Sequence, residues 1–216
     1  MEPTAGDRSR SVDVVEAELR PVPRSGRYIA LRPVVLADVP FLYGLAVDPV
    51  VGPRWRWRGG IPREENFFAR LWEGVLTQLV VEDPRSGAAL GLVSAFSANL
   101  VAGTAYVGAV LAPRARFGQG IEAGTKFASY LFGTYHFRKL YLEAPSFNVG
   151  QFRRAIGTYL HVEGCLKDHE RYAGRCYDSY ILAIYPDDLV HFYKDFPQLA
   201  LRAEADGTSV SSVPFG

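Results

Sequence analysis

The sequence predicts one mixed α/β domain, in which helices pack against a single central sheet. Its 216 residues, 48% of them hydrophobic, are enough to bury one substantial core but would leave two separate domains small. The predicted segments run as strand, two helices, antiparallel strands, glycine loop, helix, strand, helix and strand pair. This order lacks the regular alternation of strand and helix that a doubly wound nucleotide-binding fold shows.

The first segments are a strand and two helices. Residues 28–32 form a short predicted strand that Pro33 ends. Asp38 followed by Pro40 marks a helix start, because aspartate caps free N–H groups and proline in the first turn loses no hydrogen bond. Helical spacing of apolar residues predicts a second helix with one face made of Phe68, Leu71, Trp72 and Val75.

Three strands follow, at residues 78–82, 89–96 and 104–111. The first two are separated by Asp-Pro-Arg-Ser-Gly at 83–87, a run of residues typical of tight turns. The short connection favours antiparallel pairing of these strands.

A glycine loop at Gly118 and Gly120 leads into a further helix. The apolar face of this helix consists of Ala123, Phe127, Tyr130 and Leu131. The remaining segments are a strand at 139–144, a helix at 151–156 and strands at 160–166 and 177–184. A short amphipathic helix at 189–196 is interpreted as an appended element that covers a sheet edge or joins a dimer.

The two ends of the chain fall outside the predicted domain, which covers residues 26–186. Residues 1–25 mix charged residues with Pro, Ser and Gly without a sustained period, so they are predicted to form a flexible arm. Residues 187–216 hold the appended helix and a loose tail.

Composition narrows the function classes. With 24 Lys and Arg against 23 Asp and Glu, the chain has no net field that would draw it to nucleic acid or an anionic membrane. It has no apolar stretch near the ~20 residues of a spanning helix and no secretory signal, which predicts a cytoplasmic protein. Cys165 and Cys176 lack metal-ligand spacing, so no metal site is predicted and free thiols are favoured over a disulfide.

The segment around residue 118 carries the clearest chemical signal. A strand that enters a glycine loop and then a helix leaves unpaired N–H groups at the helix N-terminus, where they can bind an anion. Gly118 and Gly120 let the backbone approach a pyrophosphate, and Arg114 and Arg116 can neutralise it. The alternative is a simple strand-to-helix turn with two surface arginines.

The rest of this segment resembles the core of GNAT acetyltransferases, especially the branch that acetylates ribosomal-protein N-termini and its antibiotic-modifying relatives. The matching residues are Gly118-Gln119-Gly120, Glu122-Ala123, Phe132, the strand at 138–143, Asn148, Glu163-Gly164, Leu166-Lys167, Gly174 and Asp178. Their order and spacing are jointly specific, and the fainter resemblance covers most of residues 28–185.

The resemblance implies a GNAT fold of class α/β (α+β), with a mostly antiparallel mixed sheet of six to seven strands and helices on both faces. It also implies that strands 4 and 5 splay apart. The cleft between them would bind the pantetheine arm of acetyl-CoA or another acyl-CoA. The implied cofactor-binding residues are Val110, Leu111, Arg114, Arg116, Phe117, Gly118, Gln119, Gly120, Ile121 and Asn148.

The proton-handling residues of the family are not matched. The carboxylate that many relatives have on the fourth strand is replaced by Tyr106, and the family's Tyr and Ser positions hold Ala155 and Gln151. Tyr106, Glu143 and Tyr159 are therefore the candidate catalytic residues, with His161 as a further titratable group nearby. For each, simple packing or solvation is the alternative.

The segment Arg54-Trp55-Arg56-Trp57 lies between the two predicted helices, where the family binds its acceptor. Alternating Arg and Trp can bind a carboxylate or phosphate next to an apolar body, and can also stack on RNA bases. The alternative is that the Trp rings pack on the core or form an interface.

The predicted function is acyl transfer to the amino group of a small amine, amino acid, peptide or natural product, by direct attack in a ternary complex. Two alternatives stay open. One is a catalytically silent CoA-binding protein, and the other is an acyltransferase whose donor is bound to tRNA or a carrier protein. The chain could also pair with a second copy of itself to form a homodimer, and no membrane partner is predicted.

Overall fold

The computed structural model describes residues 27–60, 62–116 and 118–200, so the predicted arm and most of the tail lie outside it. Seven strands form one sheet in the order β1-β2-β3-β4-β5-β7-β6. They are β1 (Ala30–Pro33), β2 (Val75–Glu82), β3 (Ala89–Asn99), β4 (Thr104–Leu111), β5 (Lys139–Pro145), β6 (His161–Tyr172) and β7 (Arg175–Ile184). The helices are α1 (Val39–Val47), α2 (Phe67–Leu71), α3 (Gln119–Tyr135) and α4 (Pro186–Asp195).

The sheet is antiparallel except at its centre. Strands β1 to β4 pair antiparallel in succession, and β7 pairs antiparallel with both β5 and β6. The parallel β4–β5 ladder has only the pairs Thr104↔Lys139, Ala105↔Leu140 and Tyr106↔Tyr141. Both strands continue beyond the last pair, so they part there, as the predicted splay requires.

Each face of the sheet carries a core. On one face α3 and α4 cover a cluster that includes Phe127, Leu131, Leu140, Leu182 and Leu189. On the other face α1 and α2 cover a smaller cluster. Among its members are Leu42, Phe67, Leu71, Val80 and Leu92. The prediction of a mixed sheet with helices on both faces is confirmed.

Three local predictions are wrong. The second helix ends at Leu71, because Gly74, with a φ of 67°, turns the chain into β2, and Val75 is the first residue of that strand. The predicted helix at 151–156 is a 3-10 turn at Val149–Phe152 followed by further turns. Asp38 is the N-cap residue of α1, as the predicted helix start requires, but its carboxylate does not cap the helix, since it accepts the N–H of Val35 and bonds with Arg32 instead.

The two cysteines are free, as predicted. Both are exposed on the β6–β7 hairpin, where Cys165 pairs in the ladder with Tyr180 and Cys176 with Arg171. Because their ladder positions lie several residues apart, the hairpin does not bring the two sulfurs together.

A buried carboxylate joins the entry to β1 with the first turn of α3. Glu122 is 0% exposed, and its two oxygens accept the backbone N–H groups of Arg27 and Tyr28, each at 2.8 Å. The side chain of Gln119 donates to the carbonyl of Tyr28 at 3.1 Å. Lys126 is also buried, with Nζ 4.0 Å from Glu122, and burial lowers the pKa of this lysine against the opposing effect of the Glu122 charge.

Glu122→Gln should lower the free energy of unfolding by about 3 kcal/mol, because one backbone N–H then faces an amide NH₂ and Lys126 loses its buried counter-charge. Urea denaturation measures the change. Glu64→Gln, at an exposed position in a 3-10 turn, is the matched control and should leave stability within ~0.5 kcal/mol of wild type. An equal effect of both substitutions would contradict the role given to Glu122.

A second buried carboxylate holds the end of β1. Arg32 donates to both oxygens of Asp38 at 2.8 and 2.7 Å and also bonds with Glu82 on β2. The hydrogen bonds from Arg32 lower the pKa of Asp38 below its ordinary value of 3.8, although burial opposes this.

The Asp38 contribution to stability should therefore be fully present above pH 3.8 and be lost as the pH falls further, through the folded-state pKa. Asp38→Asn should cost about 2 kcal/mol at neutral pH, and its difference from wild type should shrink below about pH 4. Denaturant titrations across that range test this. Asp168→Asn is the control, since Asp168 is exposed and its φ of 50° is accessible to asparagine. A difference that stays constant down to pH 2 would contradict the assignment.

Candidate active site at the parting of β4 and β5

Three rows of side chains cross the α1–α2 face of the sheet, because directly paired residues share a face. An apolar row under the helices consists of Val80, Leu92 and Val110. The next row along the strands is polar and consists of Gln78, Ser94 and Gly108. The third row is aromatic and consists of Phe96, Tyr106 and Tyr141. The strands part just after the aromatic row, so Gly108 and Glu143 lie on opposite sides of the gap.

Beyond Tyr106 the edge of β4 that faces β5 has no strand partner among the described residues. The N–H of Ala112 donates to Leu90 at 2.8 Å, so ladder alternation turns the amide of Val110 to β3 and that of Leu111 to the gap. The Val110 carbonyl lies beside Gly91, only 2.1 Å from where a Cβ on that residue would be. The geometry therefore favours Leu111 over Val110 as a backbone partner for a ligand in the gap.

The glycine loop lies at the end of this gap. Gly118 precedes α3 with a φ of 92°, and a Cβ built on it would meet nothing within 4 Å among the described residues. A Cβ on Gly120 would come within 2.9 Å of Leu111 Cδ1, so glycine allows the helix to pack closely on β4. The open space before the first turn of α3 fits an anionic group bound by free N–H groups.

Two predicted backbone donors of this loop, the N–H groups of Arg116 and Gln119, are already bound. The N–H of Arg116 donates at 2.7 Å to the side-chain oxygen of Gln119, which is buried, and the N–H of Gln119 contacts the Arg116 carbonyl at 3.2 Å. Gln119 therefore shapes the loop from inside. Phe117 lies outside the described residues, and the side chain of Ile121 is largely exposed.

The two arginines border a depression of ≈ 300 Å³ between the β2–β3 hairpin and α3. Arg114 donates to the Ala89 carbonyl and lies over the ring of Phe41 at 5.1 Å. Arg116 is mostly exposed, with its guanidinium 3.8 Å from Asp83. Arg116 is thus the more available cation for a ligand at the loop.

Asn148 follows β5 on the other side of the gap. Its N–H donates to the Pro145 carbonyl at 2.7 Å, which turns the chain back over the end of the strand. Within the described ranges its side-chain amide has no hydrogen-bond partner, so it is available to a ligand, and its role in cofactor binding stays a prediction.

Two of the three predicted catalytic side chains lie at the gap. Tyr106 packs between Phe96 and Tyr141, with ring centroids 6.0 and 5.2 Å away. Burial, and then the charge of Glu143, raises the pKa of the Tyr106 phenol above its ordinary value of 10.0. Like an ordinary tyrosine, it stays protonated at physiological pH.

Glu143 is held by two residues that sequence reasoning missed. The Ser179 hydroxyl donates to Glu143 Oε1 at 3.0 Å, and His169 Nε2 lies 3.7 Å from the same oxygen. The carboxylate, the imidazole and Tyr106 together supply an acid and a base on one face of the sheet. His169 could not be found from sequence, because bulges in β6 shift its register against β7.

The third candidate, Tyr159, lies against the C-terminal helix. Its hydroxyl bonds with Asp195, and its ring contacts Phe192 of α4 and Phe196, the residue that follows this helix. His161 is bound similarly, with Nε2 2.9 Å from Asp188. Both side chains are used to attach α4 to the sheet, so neither enters the mechanism proposed below.

The Arg-Trp segment is divided between core and surface. Trp55 is buried in the α1–α2 core, and Trp57 packs on Phe67 at 5.1 Å. The guanidinium of Arg56 donates to the carbonyls of Leu71 and Glu73, at 2.8 and 2.7 Å. Trp55 and Arg56 thus hold the loop in place. This agrees with the alternative given above for the segment, in which the Trp rings pack on the core.

The next residue of this segment connects the loop to the β6–β7 hairpin. Arg58 forms a 2.8 Å ion pair with Glu170, so the loop and the hairpin meet. Arg54 is exposed and, within the described part of the chain, its guanidinium has no partner. Of the predicted acceptor-binding residues, Arg54 therefore has a charged group without a partner among the described residues, while Trp57 offers a partly exposed ring.

Neither a metal-binding cluster nor a membrane-spanning helix is found among the described residues. No three His, Cys, Asp or Glu side chains among residues 27–60, 62–116 and 118–200 are grouped so that they could hold a metal ion. In the same ranges no helix is both long enough and apolar enough to span a bilayer.

Comparison with solved structures identifies the fold. A spermidine N-acetyltransferase from Vibrio cholerae in complex with CoA and spermine matches with a TM-score of 0.65 at 18% identity, over 76% of this chain and 98% of that one. The chain has the GNAT fold. A spermidine/spermine N-acetyltransferase from the same organism, in complex with manganese ions, matches with a TM-score of 0.60 at 20% identity, over 76% and 96% of the two chains.

Sequence comparisons add no closer relative. Neither a protein-family model nor a curated protein matches the chain. The GNAT resemblance inferred from the glycine loop and the residues after it is confirmed at the level of the fold, whereas the ribosomal-protein branch stays a prediction.

Proposed function

We propose that this protein is an acyl-CoA-dependent N-acyltransferase whose acceptor is a small amine. The observation that carries the proposal is the gap between β4 and β5, which opens directly onto the glycine-rich N-terminus of α3. Unpaired strand edge and free helix N–H groups are the two features that an amide-containing arm ending in a diphosphate needs. The similar structure from Vibrio cholerae, which holds CoA and spermine, supports this choice of donor and acceptor class.

The chain's own groups fit such a donor. The first turn of α3, with Gly118 open to solvent, would bind the diphosphate, and Arg116 would add a positive charge. The backbone of Leu111 would pair with the pantetheine amides as a missing strand does, and Asn148 would bind the arm from the opposite side. Bound acyl-CoA would supply an acyl group activated as a thioester.

Proton transfer would use the two candidates at the gap. The Tyr106 phenol, whose pKa burial raises above 10.0, is protonated at neutral pH and would give its proton to the departing sulfur. Glu143, oriented by Ser179, would take a proton from the acceptor ammonium, directly or through His169. The neutral amine would then attack the thioester carbonyl directly, without a covalent enzyme intermediate, the C–S bond would break, and the second proton lost by the nitrogen would return to the Tyr106 phenolate.

The donor part of the proposal is tested by calorimetric titration with CoA. Arg116→Ala should raise the Kd for CoA about five- to tenfold, because one charge-assisted contact is lost at an otherwise intact loop. Arg63→Ala, at another exposed arginine, should leave the Kd unchanged. Failure of the wild-type protein to bind CoA would overturn the proposal.

The catalytic part is tested by thiol release from acetyl-CoA in the presence of an amine panel. CoA binding without release for any amine would identify the silent binding protein. Transfer only from an acyl-tRNA or an acyl carrier protein would identify the third function considered.

Tyr106→Phe should lower kcat about 100-fold and leave the Kd for CoA unchanged, because only the proton donor is removed. Thiol-release kinetics measure this with the best amine of the panel. The control is Tyr135→Phe on the opposite face of the sheet, where the ring stacks on Phe137. Unchanged turnover by the Tyr106 variant would exclude this residue as the acid.

A further inference from the structure

A buried glutamine on the sheet has no hydrogen-bond partner. Gln78 is 2% exposed, and neither its Nε2 nor its Oε1 has a partner among the described residues. Buried side-chain amides in native proteins are nearly always bonded, because the loss of water contacts is otherwise uncompensated. A ligand or ordered water that completes these bonds is therefore expected.

The position of Gln78 connects it to the candidate active site. It lies in the polar row with Ser94 and Gly108, between the apolar row under α1 and α2 and the row that contains Tyr106. Adjacent strands are about 4.8 Å apart, so Gln78 lies about 10 Å from Gly108 across the sheet. A glutamine side chain and a small acceptor together span that distance.

Gly108 leaves this row open at the gap. A Cβ built on it would be in ordinary contact with Phe96 Cε1 at 3.5 Å and Ser94 Oγ at 3.8 Å, so there is room for a small group above the backbone. The Ser94 hydroxyl is itself nearly buried and faces this space. A molecule that enters beside Gly108 therefore meets Ser94 first and Gln78 beyond it.

The charges nearby do not favour a second ammonium group. Glu143 already has Ser179 and His169, and Glu170 is paired with Arg58 at 2.8 Å. Gln78 and Ser94 are neutral groups that both donate and accept hydrogen bonds. The row is thus suited to a neutral polar group with one donor and one acceptor.

We propose that Gln78 and Ser94 bind a carboxamide of the acceptor, so that the enzyme acylates primary amines bearing a neighbouring carboxamide rather than polyamines. The inference rests on the proposed acyltransferase function and specifies its acceptor. A carboxamide can bond reciprocally with the amide of Gln78 and satisfy both of its polar atoms. The amino group is then left near Gly108, beside Tyr106.

The kinetic test compares glycinamide with isobutylamine, which has the same heavy-atom shape but no amide. Gln78→Met keeps the length of the side chain and removes its polar atoms. It should lower the ratio of kcat/KM for glycinamide to kcat/KM for isobutylamine about tenfold, as expected for lost hydrogen bonds. Its Tm should be equal to or above that of wild type, because an unpartnered polar group is removed. Gln198→Met, at an exposed glutamine, should change neither quantity.

A binding measurement makes the test independent of turnover. In ¹⁵N NMR spectra of the CoA-loaded protein, the side-chain amide signal of Gln78 should shift with glycinamide but not with isobutylamine or spermidine. An unchanged kinetic ratio in Gln78→Met, or an absent shift with glycinamide, would overturn the inference and show that Gln78 is satisfied by water. CoA binding and acetyl transfer to other amines would still stand in that case, so the two proposals fail separately.

Discussion

The short parallel ladder between β4 and β5 is the constraint on which the candidate site depends. Three residue pairs join the two halves of the sheet, and after Tyr106 and Tyr141 each strand keeps only its other neighbour. β4 remains paired with β3 through Leu111, while β5 remains paired with β7 through Pro145. Because β4 stays with β3 and β5 stays with β7, the facing edges of β4 and β5 are unpaired beyond Tyr106 and Tyr141 in the described part of the chain. These edges lie at the centre of the sheet, next to the N-terminus of α3.

The surroundings of this gap are held by buried polar groups that are fully bonded. Glu122 and Gln119 attach the first turn of α3 to residues 27 and 28, and Ser129 reaches the Tyr193 hydroxyl of α4 at 2.9 Å. These bonds fix α3, and therefore the glycine loop, relative to the sheet. Against this background the amide of Gln78, which has no partner among the described residues, is an exception that requires a physical explanation.

The candidate site combines backbone geometry that belongs to the shared fold with side chains particular to this chain. The fold supplies the gap and the loop through backbone groups, which tolerate many sequences, and this explains how chains 18–20% identical share it. Under the proposed function, Tyr106 and Glu143 would transfer the protons. Tyr106 occupies the fourth-strand position at which the GNAT resemblance implies a carboxylate, and Glu143 lies across the gap on the neighbouring strand. Under the proposed function, the acid and the base would then have exchanged sides.

Local rules determined much of this protein from sequence alone: the strands, the glycine loop, the face of α3 and the GNAT resemblance all depend on residues a few positions apart. The tertiary structure decided what depends on register between distant strands. It brought His169 and Ser179 to Glu143, placed Gln78 beside Ser94 and Gly108, and used Arg56 to close a loop rather than bind a ligand. Such contacts depend on bulges and loop paths, whose energies involve residues far apart in the chain. The local spacing of hydrophobic residues therefore does not predict them.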